Sequence, residues 1–241
     1  MRSPAVRRAR GRQALASARA GPGARVPWRR WALLCAAAEA VGMTAAAGAA
    51  TAANVLSAEP ARSARLVAWG LVVVGGLVEG VALGFAQSAA LRTTVHRLDR
   101  GRWILTTVLV AGLGWGVVSA QAATAGDDGG TQPGWPVVLV GAAGLGLAMG
   151  TVLGAAQGWA LRGAVRRPSR WVLVSAVAWT PAMVVIFAGA TATPASWPVA
   201  GVLVLGATTG ALAGAVLGAL CATLLAVRGL DDREASRDVA A

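Results

Sequence analysis

Two carboxyl groups stand inside stretches that are otherwise apolar. Glu39 lies in a run of Ala, Gly and Leu, and Glu79 in a run of Val, Leu and Gly. A carboxylate in hydrocarbon is costly, so such a group holds a proton, a cation or a hydrogen-bonding partner and is read first as a site. Gln87 and Gln157 share that setting. An amide facing lipid is costly, whereas one facing a neighbouring helix gains ~1 kcal/mol from a bond across the interface. The four residues together form a possible polar intramembrane site. Its functional form is a proton or cation site at Glu39 and Glu79. Its structural form is a hydrogen-bonded acid, for instance Glu39 against Gln87.

The remaining reactive inventory is thin. His96 is the one histidine, beside Asp99 in an Arg-rich stretch, and reads as a loop residue. Cys35 and Cys221 form no Cys-x-x-Cys or Cys/His cluster, so no zinc site or disulfide framework is expected. No GxSxG, HExxH or Walker loop occurs. We expect no catalytic residue, no metal, no cofactor and no enzymatic activity.

The elements that carry these groups repeat. Gly76, Gly80 and Gly84 are followed by Gln87, Leu91 and Arg92. The same spacing recurs at Gly146, Gly150, Gly154, Gln157, Leu161 and Arg162. A third copy has Gly210, Gly214 and Gly218, then Cys221 in the glutamine position, then Leu225 and Arg228. Residues four apart share one helix face, so each glycine trio makes a groove that lets a neighbouring backbone approach. Before each ladder a helix opens on Arg-Trp-x-Leu, at Trp31, Trp103 and Trp171. These tryptophans read as anchors at the membrane interface. Three tandem hairpins result, over residues 30–92, 102–162 and 170–228. Parallel repeats share one orientation and imply a pseudo-threefold axis along the membrane normal. Closing that ring requires the last helix to lie beside the first. The acids break the repeat: Glu39 aligns with Ala111 and Trp179, and Glu79 with Met149 and Ala213.

Composition agrees. The 241 residues are 56% hydrophobic and 13% charged, with a mean hydropathy of +0.61, which fits an integral membrane protein. Six apolar segments, at 31–57, 66–91, 103–123, 136–161, 171–191 and 199–227, are each long enough for a span of about 20 residues. Pro181 falls inside the fifth and should kink it. The fold expected is an all-α bundle of six transmembrane helices.

All 22 basic residues are arginine. Twenty lie in the N-terminal tail, the stretches after the second and fourth segments, and the C-terminal tail; only Arg62 and Arg65 lie elsewhere. The positive-inside rule then puts both termini in the cytoplasm of a bacterial cell, with the segment around Asp127 and Asp128 outside. Residues 1–28 are rich in Arg, Ala, Gly, Ser and Pro and should be a disordered tail resting on anionic lipid headgroups. Residues 229–241 form a second short tail. Up to Arg25 no aromatic residue interleaves the tail arginines, so nucleic acid is not the expected partner. Arg29-Arg30 before an Ala-rich run resembles a leader, but the repeat argues for a retained first helix.

The signature resembles a group of multi-pass membrane proteins of high-GC bacteria. They repeat Gly-x-x-x-Gly-x-x-Gln-Trp-x-x-Leu-Arg, then a short Arg-rich loop and a Trp-rich helix start. The likeness is good over residues 70–185 and weak over 30–70 and 200–228. It departs at Ser88 and Gly158, where the group often has Trp, and at Cys221. That group has no assigned activity, so the resemblance implies the fold alone. Two functions remain open: a non-enzymatic structural or accessory bundle, and a small-solute or proton-coupled transporter using Glu39 and Glu79.

Overall fold

A computed structural model describes residues 27–57, 61–124, 133–194 and 196–228. The two terminal tails and the Asp127-Asp128 segment lie outside the described residues. Among the described residues six helices follow one another: α1 (Trp28–Ser57), α2 (Arg62–Leu91), α3 (Arg100–Thr124), α4 (Trp135–Ala160), α5 (Ser169–Thr191) and α6 (Val199–Arg228). All six contain windows long and apolar enough to cross a bilayer. The described residues are helical apart from their connections, and six long apolar helices fit a multi-pass membrane protein. The helices start up to four residues earlier than the apolar segments, because the flanking arginines extend them beyond the hydrocarbon. Asp99 sets the start of α3, its Oδ1 accepting from the Arg102 backbone N–H at 3.0 Å. Helix α5 runs through Pro181 without a break.

Each helix packs on its neighbours in sequence, and α1 also packs extensively on α6. The six therefore close into a ring, with the thinnest contact between α3 and α4. Starts of odd helices and ends of even helices lie at one end, with the loops at residues 92–99 and 161–168; we call this the arginine end. The two loops fold alike. Val95 N–H bonds to Leu91 O at 2.8 Å, and Val165 N–H to Leu161 O at 3.2 Å. Val95 and Val165 are buried beneath the helices. Gly163 sits at φ 90°, a left-handed position suited to glycine.

The glycine ladders lie at alternate seams of this ring. A Cβ on Gly80 would meet Ala111 Cβ at 2.8 Å and Val108 Cα at 2.9 Å on α3. One on Gly150 would meet Ser175 O at 2.8 Å and Ala176 Cα at 2.9 Å on α5. Gly210, Gly214 and Gly218 face the carbonyls of Glu39, Cys35 and Trp31 on α1. Each ladder thus grips the odd helix of the next hairpin rather than its own partner. The register also sets the cysteines: Cys35 stands opposite Gly214, while Cys221 lies three residues past Gly218, nearer the arginine end.

One expectation is corrected. Trp31, Trp103 and Trp171 are not interfacial anchors, because all three are 0% exposed. Their depth suits either role; the rotation of the odd helices, set by the glycine seams, turns the indoles inward. The exposed tryptophans are others. Trp28 and Trp159 stand at the arginine end, and Trp135 and Trp197 at the opposite end. Arg102 stacks over the Trp159 ring at 5.0 Å, as an interfacial pair does.

Candidate functional site

The interior of the ring is built in layers. At the arginine end the three odd-helix indoles meet. The Trp103 and Trp171 ring centroids are 5.3 Å apart in an edge-to-face arrangement, and those of Trp31 and Trp171 are 6.1 Å apart. This apolar plug shuts that end of the bundle.

Above it lies an amide network. Gln157 Nε2 donates to Gln87 Oε1 at 2.9 Å and to Thr107 Oγ1 at 2.9 Å. Gln157 Oε1 accepts from the Trp171 indole N–H at 2.8 Å. An indole N–H only donates, so the direction of the Gln157 amide is fixed by its partner. Thr107 Oγ1 in turn donates to Trp103 O at 2.9 Å. Helices α2 and α4 are not ring neighbours, so the glutamine pair ties the bundle across its centre. Gln87 and Gln157 are 1% and 0% exposed. In the third copy Cys221 replaces the glutamine, and the buried Trp31 Nε1 has no partner. The Trp103 Nε1 is likewise unpartnered.

The acids come next. Glu79 is 7% exposed, and its Oε2 accepts from the Trp115 indole N–H at 2.7 Å. Its side chain lies over Gly42 of α1, where an added Cβ would meet Glu79 Cγ at 2.6 Å. Glu39 is 1% exposed, and neither carboxyl oxygen has a hydrogen-bond partner. The expected bond from Glu39 to Gln87 is absent; the Gln87 amide oxygen accepts from Gln157 instead. The two acids are close enough to interact electrostatically.

Glu79 also lines a cavity of about 120 Å³ that is partly open to the outside of the bundle. Its walls include Trp115, Trp179, Phe187, Met43, Met149 and Met183, and its lining reaches Thr107 and Leu153 beside the amide network. By helix rise the lining extends from ~6 Å (Thr107) to ~24 Å (Phe187) above the tryptophan plug. Glu39 stands behind this wall rather than in it.

The expected polar residues therefore separate into two groups. Gln87 and Gln157 form the cross-bundle bond, while Glu79 faces the cavity with Glu39 behind it. Sequence reasoning missed Trp115 and Thr107. Trp115 had a signal: it falls mid-span, away from either interface, where an indole needs a partner. Among the described residues no three His, Cys, Asp or Glu side chains gather as a metal set. Compared with known protein families, curated proteins and solved structures, the chain matches none.

Proposed function

We propose that this chain is a non-enzymatic, proton-coupled carrier of a small solute. One observation supports it over a purely structural bundle: the mid-span acid Glu79, held by the Trp115 indole, is among the residues that line a partly open cavity in the bundle. A carboxyl meant only as glue would be enclosed by partners, as Gln157 is. At the cavity wall it can exchange a proton for a solute, with Glu39 as a second acid behind it. Trp115 holds the Glu79 side chain in position. The tryptophan plug closes the arginine end in this conformation, and the carrier cycle requires it to part.

Three tandem hairpins around a pseudo-threefold axis suit such a cycle, since like-oriented repeats can rock against one another. The glycine seams between hairpins are the surfaces that slide. In this reading the protein sits in the bacterial cytoplasmic membrane with both termini inside, and its Arg-rich ends rest on anionic headgroups. Single cysteines at exposed positions check the orientation. In a background without Cys35 and Cys221, an impermeant thiol reagent added to intact cells should label Ser196→Cys and spare Arg97→Cys. Labelling of Arg97→Cys alone inverts the topology.

Carbodiimide modification tests the proton site. Dicyclohexylcarbodiimide attacks protonated carboxyls in apolar surroundings. Peptide mapping should find Glu79 modified ahead of the enclosed Glu39, to an extent that falls as pH rises. A Glu79 that stays unmodified at every pH leaves no proton site at the cavity, and the accessory bundle stands instead.

A further inference from the structure

We infer that the cavity takes a small organic ammonium ion, with Glu79 as its counter-ion. The inference rests on the carrier reading for its place in a cycle, but the binding chemistry stands on the cavity itself. Three features of the walls decide the ligand class. First, one acid faces an otherwise apolar lining: Glu79 among Trp115, Trp179, Phe187 and three methionines. Second, an inorganic cation needs several oxygen ligands in place of its water shell. Here the lining side chains offer only Glu79 and Thr107, and the Thr107 hydroxyl already accepts from Gln157 and donates to Trp103. Third, a neutral apolar solute would press hydrocarbon against the carboxyl and leave it uncompensated.

An alkylated ammonium satisfies all three. Its charge is spread over methyl or methylene groups that carry little water. Aromatic rings attract such cations, and quaternary ammonium ions are held in aromatic cages on this basis. Methionine sulfur is polarisable and adapts to irregular shapes. The Glu79 carboxylate supplies the opposite charge, and Trp115 already orients it at 2.7 Å. Size sets the upper limit. A dry cavity of roughly 150 Å³ holds benzene; this one, at about 120 Å³ and partly open, takes a compact methylated ammonium head and leaves any longer arm in the opening. Glu39, whose two carboxyl oxygens are unpartnered behind the wall, adds negative potential on the same side when charged.

The repeat shows where the specificity comes from. The positions aligned with Glu79 are Met149 and Ala213, and those aligned with Trp115 are Met43 and Met183. Hairpin one supplies the acid, hairpin two the indole that holds it, and the other aligned positions stay apolar. A single charge is therefore placed on one side of an apolar chamber, as binding one monovalent cation requires.

Choline and 3,3-dimethylbutan-1-ol test this directly. The two have the same shape, with a quaternary nitrogen in one and a carbon in the other. The full-length protein in detergent should bind radiolabelled choline saturably in equilibrium dialysis. The alcohol should displace it only at concentrations ~10-fold or more above choline itself. Glu79→Gln should lower choline affinity to the level of the alcohol. Glutamine keeps an oxygen for the Trp115 indole, and an unchanged helical melting profile confirms the fold. A second measurement needs no variant: choline should slow carbodiimide modification of Glu79, and the alcohol should not. Equal binding of choline and the alcohol, no choline binding, or wild-type affinity in Glu79→Gln overturns the ligand class. If Glu79 is still modified in a pH-dependent way while choline neither binds nor shields it, the ammonium class is wrong and the carrier reading survives. If Glu79 is never modified but choline binds, the site is a receptor and the proton coupling is wrong.

Discussion

Replacing Gly214 with leucine is expected to break the ring at its closing seam. A Cβ at this position lands on the backbone carbonyl of Cys35 and lies 2.8 Å from Ala36 Cα. Backbone atoms of a packed helix cannot turn aside as a flexible side chain can, so α6 must move off α1. Overpacking a close interface costs about 1–3 kcal/mol, occasionally more, and here the displaced helix also loses the Gly210 and Gly218 contacts. Gly150→Leu should act alike at the α4–α5 seam, where Ser175 O and Ala176 Cα stand in the way. The control is built in. Gly141 and Gly144 meet nothing within 4 Å, and leucine forms helix better than glycine by somewhat less than about 1 kcal/mol. Gly141→Leu should therefore be neutral or stabilising. Thermal unfolding in detergent, followed by loss of monodispersity, separates the two sets. A Gly214→Leu protein as stable as Gly141→Leu would mean that α6 does not lie on α1.

Gln157→Leu is expected to be the most damaging change in the interior. It removes three hydrogen bonds at once: those to Gln87, Thr107 and the Trp171 indole. Leucine has similar bulk, so the loss is polar rather than a cavity. The Trp171 N–H, Gln87 Oε1 and one Thr107 lone pair stay buried without that partner. A single buried group left unsatisfied costs about 1–3 kcal/mol, although hydrogen bonds between membrane helices average nearer 0.6 kcal/mol. We expect a total near 2 kcal/mol. Trp171→Phe loses one bond of the three and should cost less through this term. In the double variant the two penalties should fall short of their sum, because they share the indole–amide bond. Additive penalties would show that Gln157 and Trp171 do not interact.

Depth was legible from the residues, and azimuth was not. Hydropathy and length set out six spans, and the Gly-x-x-x-Gly spacing marked three close-approach faces. Nothing in that spacing says which neighbour a ladder meets. The ladders grip the following hairpin, and this choice turns Trp31, Trp103 and Trp171 inward. A Trp one residue inside an Arg-flanked helix start satisfies the interfacial rule and the buried plug equally well. The same gap explains Glu39. Its depth is close to that of Gln87, but Gln87 is rotated toward Gln157, across the ring. Glu79 was visible as a mid-span acid; its partner Trp115 was not, because it lies 36 residues away in sequence and on another hairpin.

Access to the cavity from both sides of the membrane tests the carrier most directly. Met149 lines the cavity and aligns with Glu79 in the repeat. Met149→Cys, in a background without Cys35 and Cys221, can be treated with a small impermeant thiosulfonate in right-side-out and in inverted vesicles. Arg97→Cys and Ser196→Cys serve as references that react from one face each. A carrier predicts that Met149→Cys reacts from both faces, since the tryptophan plug must part once in every cycle. Reaction from one face only, or from neither, contradicts alternating access and leaves a fixed bundle with a closed arginine end.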